Sequence, residues 1–124
     1  MAETEKITIN MNVVELGKVD LLVEQGFYSN RTDFIKAAIR SQLTTHTKVL
    51  DEIITAKSFC LGISYFNKED LEKLADQNKI LDIKVVGMLI LADDISVELA
   101  TQTIKSIKVY GVFKGSAELK AMYN

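Results

Sequence analysis

The sequence predicts an α+β chain in two parts. A strand and two helices that intertwine with a second copy come first, and a small α/β unit of solenoid-like repeats follows. Three observations predict it. Residues 6–11 alternate polar and apolar side chains. Two apolar stripes at helical spacing then lie on either side of Gly26. Beyond residue 57 a glycine-centred pattern recurs at Gly62, Gly87 and Gly111, with spacings of 25 and 24 residues.

The strand is the most telling element. Lys6, Thr8 and Asn10 alternate with Ile7, Ile9 and Met11, the period of a half-buried strand. A single strand leaves its own backbone donors and acceptors unpaired. Pairing with the same strand of a second subunit across a two-fold axis satisfies them. The resulting two-stranded ribbon carries lysine, threonine and asparagine on one face. A ribbon of that size fits the major groove, where those side chains reach base edges and phosphates.

The helices have clear ends. Asn12 is an N-cap with Glu15 three residues on, as in a capping box. Val13, Leu16, Val19, Leu22 and Val23 form the first apolar stripe. Gly26 closes that helix, where a left-handed residue is wanted. Ser29 or Asn30 caps the second helix, and Asp33 lies in its first turn, where negative charge suits the dipole. Phe34, Ile35, Ala38, Ile39 and Leu43 are its expected buried face, with Lys36 and Arg40 on another.

On these residues the segment 6–43 resembles the ribbon-helix-helix family of DNA-binding regulators, of the CopG, Arc and MetJ type. KITINM resembles the family's DNA-reading strand, VELGKVDLLVEQG its first helix and closing glycine, and YSNRTDFIKAAIRSQL its second helix. The resemblance implies base contacts from Lys6, Thr8 and Asn10. It implies a phosphate held by backbone amides at Asn30, Arg31 and Thr32, helped by the positive helix end. Asn12 departs from the proline common there, which changes only how the first helix starts. Charge is a second departure. Residues 1–46 hold five basic and six acidic groups, so non-specific attraction to DNA should be weak. Specific binding would need local clustering of Lys6, Arg31 and Lys36 or Arg40, or several dimers side by side.

Residues 47–57 read as a helical connection, since Val49, Leu50, Ile53 and Ile54 give one apolar side and no Gly or Pro interrupts. The expected domains are therefore 1–46 for DNA binding and dimerisation and 58–124 for oligomerisation or partner binding. In the second, Ile83-Lys84-Val85-Val86-Gly87 matches Ile107-Lys108-Val109-Tyr110-Gly111, and helical pieces led by Leu71, Ile95 and Leu119 follow the strands. Such a period predicts strands stacked into a parallel sheet with helices on one side. The pattern resembles a miniature leucine-rich-repeat-like solenoid without its asparagine ladder. An accidental resemblance between strands of a compact α/β unit is the alternative. A short stack has open ends, and Val112, Phe113, Leu119 and Met122 are the expected oligomerisation surface.

Composition bounds the rest. The 124 residues are 48% hydrophobic and 26% charged, with net charge −2, which gives no global pull toward nucleic acid or anionic membrane. Cys60, between Phe59 and Leu61, reads as a buried apolar residue. One cysteine and one histidine, His46, give no disulfide, CxxC motif or nickel-type site. Asp93-Asp94 read as the cap of a helix starting near Ser96. No phosphate-binding glycine loop or catalytic motif occurs, so neither enzyme activity nor a cofactor nor a metal is expected. MAETEK lacks the regions of a signal peptide, and the apolar run 85–92 is too short for a membrane span. A cytoplasmic location follows as the expectation. The expected function is a dimeric, sequence-specific DNA-binding transcriptional regulator acting as a repressor on double-stranded DNA. A scaffold that uses the N-terminal unit only to dimerise is the alternative, and an antitoxin a third reading.

Overall fold

The structure, a computed structural model, describes residues 4–123. Residues 1–3 and Asn124, the outer ends of the two expected domains, lie outside them. The chain divides into two units, 1–52 and 53–124.

The first unit is helical. Residues 4–10 carry no regular secondary structure, because the strand expected there has no partner within one chain. Helix α1, Val13–Glu24, starts at Asn12, whose side chain accepts from the Val14 and Glu15 amides at 2.8 and 3.2 Å. It ends in a Schellman turn. Gly26 has φ +87°, the Phe27 amide donates to the Leu22 carbonyl, and the Gly26 amide donates to that of Val23. A left-handed glycine lets these last carbonyls find donors. Helix α2, Arg31–Thr45, is capped by Asn30 rather than Ser29. Helix α3, Thr47–Ala56, follows after a break at His46, the C-cap of α2, and spans the boundary between the two units.

Few side chains of this unit are covered. Val19 is its one buried hydrophobic residue among those described. The expected buried face of α2 is corrected: Phe34 and Ile35 are half-buried, but Ala38, Ile39 and Leu43 are exposed. Two helices offer too little surface to cover each other's stripes.

The second unit is a three-stranded parallel sheet in the order β1-β2-β3. The strands are β1, Cys60–Phe66, β2, Leu81–Leu91, and β3, Ile104–Lys114. Helices α4, Lys68–Asp76, α5, Val97–Thr103, and α6, Ala117–Tyr123, alternate with them. Parallel neighbours need such crossovers. Each helix is capped locally: Asn67 and Asp70 form a reciprocal capping box, and Ser96 and Ser116 accept from Leu99 and Leu119. Asp94 departs from its expected role, accepting instead from the Lys68 amide at the start of α4. α3 and α4 end on left-handed residues that are not glycine, Ser58 and Asn78, both at φ +55°.

The register brings Gly62, Gly87 and Gly111 into one row across the sheet. These are the glycines on which the sequence repeat aligns. A Cβ at Gly87 would fall on the carbonyl oxygen of Gly62, and one at Gly111 on that of Gly87. Backbones at this level approach too closely for a side chain. The core lies on the helix side of the sheet, where Ile83, Val85, Leu89 and Leu91 meet Leu71, Ile95, Ala100, Ile104 and Leu119. The opposite side is bare along β1: Leu61, Ile63 and Tyr65 are each more than half exposed.

Candidate nucleic-acid interface

The alternation in residues 6–10 acquires physical content in the structure. Lys6, Thr8 and Asn10 are exposed, and so are Ile7 and Ile9, at 74% and 61%. These three polar residues are the ones expected to read DNA. The apolar row is unburied along with Val13, Val14 and Leu21 of α1. Leaving large apolar groups such as these in water is unfavourable by about 25 cal/mol per Å². A second subunit that buries them would supply both the core and the missing strand partner.

The start of α2 is the second part of the site. Asn30 Oδ1 accepts from the Asp33 amide at 2.8 Å, and the Asp33 carboxylate accepts from the Ser29 amide at 3.0 Å. Among the described residues, the Arg31 and Thr32 amides have no hydrogen-bond acceptor. They are the open donors of a first helical turn. A shallow depression lined by Ser29, Asn30, Thr32, Asp33 and Lys36 lies there. Lys36 adds a cation that suits a phosphate, while Asp33 places a carboxylate beside it.

The Arg31 side chain is already paired. Its guanidinium is committed to Asp20 of α1 through Nε at 2.7 Å and a second nitrogen at 2.8 Å. The fork geometry of this pair clamps α1 to α2. The hydrogen bond from Arg31 holds the Asp20 carboxyl below its ordinary value, and the same bond raises Arg31. The Arg31 backbone amide stays open to an anion, while the charge of its side chain is already matched by Asp20. Asp20 is the residue the sequence reasoning missed, since nothing local links positions 20 and 31.

Other expected residues lie elsewhere. Leu119 is fully buried in the core of the second unit and cannot form a surface. Val112 and Phe113 are half-buried on β3, Phe113 packing against the core, and Met122 is exposed at 39%. Cys60 is exposed, contrary to its expected burial, because β1 lies at the edge of the sheet. Among the described residues no cluster of three or more metal-ligating side chains occurs. No helix there is long and apolar enough to cross a membrane.

An unpaired alternating segment that leads two capped helices, the second opening on free amides, is the arrangement expected of a ribbon-helix-helix module. Residues 2–120 match the ribbon-helix-helix transcriptional regulator family, and the chain belongs to that family. At that level it is a DNA-binding transcriptional regulator, from a family that binds DNA as dimers. No curated protein and no solved structure matches it significantly.

Proposed function

We propose that this chain is a sequence-specific repressor whose homodimer reads the major groove with a ribbon made from residues 6–11 of two copies. The observation that carries this is the uncovered row Ile7 and Ile9 behind the exposed row Lys6, Thr8 and Asn10. Antiparallel pairing about a two-fold axis buries the first row and doubles the second. Asn10 is suited to adenine and Lys6 to guanine, with Thr8 able to serve either. The open amides of Arg31 and Thr32, with Lys36 one turn on, position the dimer on a phosphate. We place the protein in the cytoplasm, and read the second unit as a short repeat stack that brings dimers together. It needs no cofactor and catalyses no reaction.

A scaffold role is favoured by one observation. Arg31 is neutralised by Asp20, and Asp33 lies in the phosphate depression, which lowers attraction to any DNA. Selection of genomic fragments by the full chain, followed by a shift assay across a salt series, decides between them. An enriched sequence bound specifically supports the repressor, and Lys36→Ala should then flatten the salt slope by about one. Absence of any enriched sequence overturns it and favours the scaffold.

A further inference from the structure

We propose that the second units of different copies stack head to tail, the β3–α6 end of one docking on the β1–α4 end of the next to extend the parallel sheet. The inference rests on the reading of the second unit as a stack that brings dimers together; the contact would be made by these units alone, so its failure would leave the DNA reading untouched.

The two ends of the sheet are unlike, and each is open. Beside β1 and α4 lies a depression whose lining includes Tyr65, Phe66, Asp70 and Leu74. Beside β3 and α6 lies another, lined in part by Ile107, Lys108, Tyr110 and Tyr123. Within the chain each strand and its helix pack on the next such pair, and both depressions are where a further pair would continue the layers.

The glycine row gives the register. Gly87 and Gly111 are required because a Cβ on either would strike the glycine carbonyl of the preceding strand. Gly62 holds the same unusual backbone, φ +121° against +138° and +123°, yet nothing lies within 4 Å of its would-be Cβ. A preceding strand presenting the Gly111 carbonyl of another copy supplies the missing neighbour. Adding 49 to a β1 number then gives its partner on β3, so Leu61 meets Tyr110 and Tyr65 meets Lys114.

Charge selects among the edge pairings. β1 carries no charged residue from Cys60 to Phe66 and no proline, the kind of bare edge that pairs with another strand. β3 carries Lys105, Lys108 and Lys114, so two β3 edges would bring ammonium groups together. β1 against β3 has no such repulsion, and it alone continues the parallel glycine row. Pairing of two β1 edges carries no charge penalty but would have to be antiparallel across a two-fold axis.

Cys60 makes the test direct. In the proposed register it faces Val109 of the next copy. The same two positions within one chain are separated by β2, about 9.6 Å at two strand spacings, too far for a disulfide. Full-length Val109→Cys, oxidised with oxidised glutathione, should form a ladder of covalent multimers whose peptide maps contain the 60–109 link. Dominant 60–60 links, or no linkage at all, would overturn the proposal.

Sedimentation of the unmodified chain keeps the proposal testable should that variant fold poorly. Mass should grow with concentration beyond the dimer. Tyr65→Lys, placed opposite Lys114, should weaken that growth about two- to fivefold, and adding Lys114→Glu should restore it. A mass fixed at the dimer across all concentrations overturns head-to-tail stacking, and so does a closed assembly that Tyr65→Lys leaves unchanged.

Discussion

The glycine row can be taken apart one residue at a time, because its members meet different surroundings. Each has a φ in the left-handed half of backbone space, where an L side chain is strained by about 1–3 kcal/mol. Alanine also stiffens the unfolded chain, which returns about 0.4–1 kcal/mol. Gly62→Ala, with nothing within 4 Å of the new methyl, should therefore cost about 0.5–2.5 kcal/mol. Gly87→Ala meets the same strain, and its methyl would also fall on the Gly62 carbonyl oxygen with the carbonyl carbon 2.9 Å away. Forcing two paired backbones apart adds about 1–3 kcal/mol, as in an overpacked core, for a total of about 1.5–5.5 kcal/mol. Gly111→Ala, 3.0 Å from the Gly87 carbonyl carbon, should match Gly87→Ala. The assay is urea unfolding followed by tyrosine emission. The chain has no tryptophan, and Tyr65, Tyr110 and Tyr123, three of its four tyrosines, lie in the second unit. Protein concentration must be fixed and low, since association stabilises by mass action. Equal midpoint shifts for Gly62→Ala and Gly87→Ala would refute the reasoning, since strain alone would then account for both.

Asn10→Ala should cost about 1–3 kcal/mol at a selected operator and relax preference at one base pair, measured by titration at constant salt; unchanged affinity and preference would remove the ribbon as the reading element. The Asp20 carboxyl has a lowered pKa in the folded chain, so its pairing contributes stability above the ordinary value of 3.8 that fades as pH falls through the folded value. Asp20→Asn should thus be less stable than the parent at neutral pH, and the two should converge in acid; a gap that persists at low pH would mean the pair contributes through packing. Tyr123 donates its phenol proton to the carbonyls of Ala100 and Ile104 at 3.1 and 2.8 Å, and burial raises its pKa. Tyr123→Phe should lower stability by about 0.5–1.5 kcal/mol in the same urea assay, and a neutral result would show that water replaces the lost donor.

What was legible in the sequence was local or periodic. Asn12, Gly26 and the start of α2 could be read because a cap is decided within a few residues of itself. The parallel register was readable because the three glycines recur at near-equal spacing, and in the structure they pair directly. What failed was long-range. Cys60 lies between two apolar neighbours, but no local pattern says that its strand is an edge. Leu119 sits near the end of the chain and looks like an exposed terminus, yet α6 folds back on the sheet and Tyr123 ties its end to the carbonyls of Ala100 and Ile104. The Asp20–Arg31 pair joins two helices across eleven residues and matches with a carboxylate a cation that charge counting had taken as free. Ser58 and Asn78 end helices in a conformation that glycine usually supplies, so composition gave no warning of those ends.

Weak charge and an open sheet edge bear on the same physical problem. A dimer whose chains each carry a net charge of −2 gains little from counterion release, so on the proposed reading its affinity would depend on a few base contacts. Each contact is worth about 1–3 kcal/mol, which leaves an isolated dimer poorly able to compete with the rest of a genome. Contacts between neighbouring dimers change this without altering any base contact. Once one dimer is bound, the next experiences an effective local concentration, and avidity can exceed single-site affinity by about 10²–10⁴-fold. A head-to-tail edge suits that role better than a closed one, because an open contact can be repeated along any number of tandem sites. It must also be weak enough that free dimers associate only as their concentration rises, and a seven-residue uncharged edge strand meeting one that bears three lysines fits that requirement. Such a repressor would be silent on single sites and cooperative on arrays, with cooperativity lost in Tyr65→Lys while affinity for one isolated site stays the same.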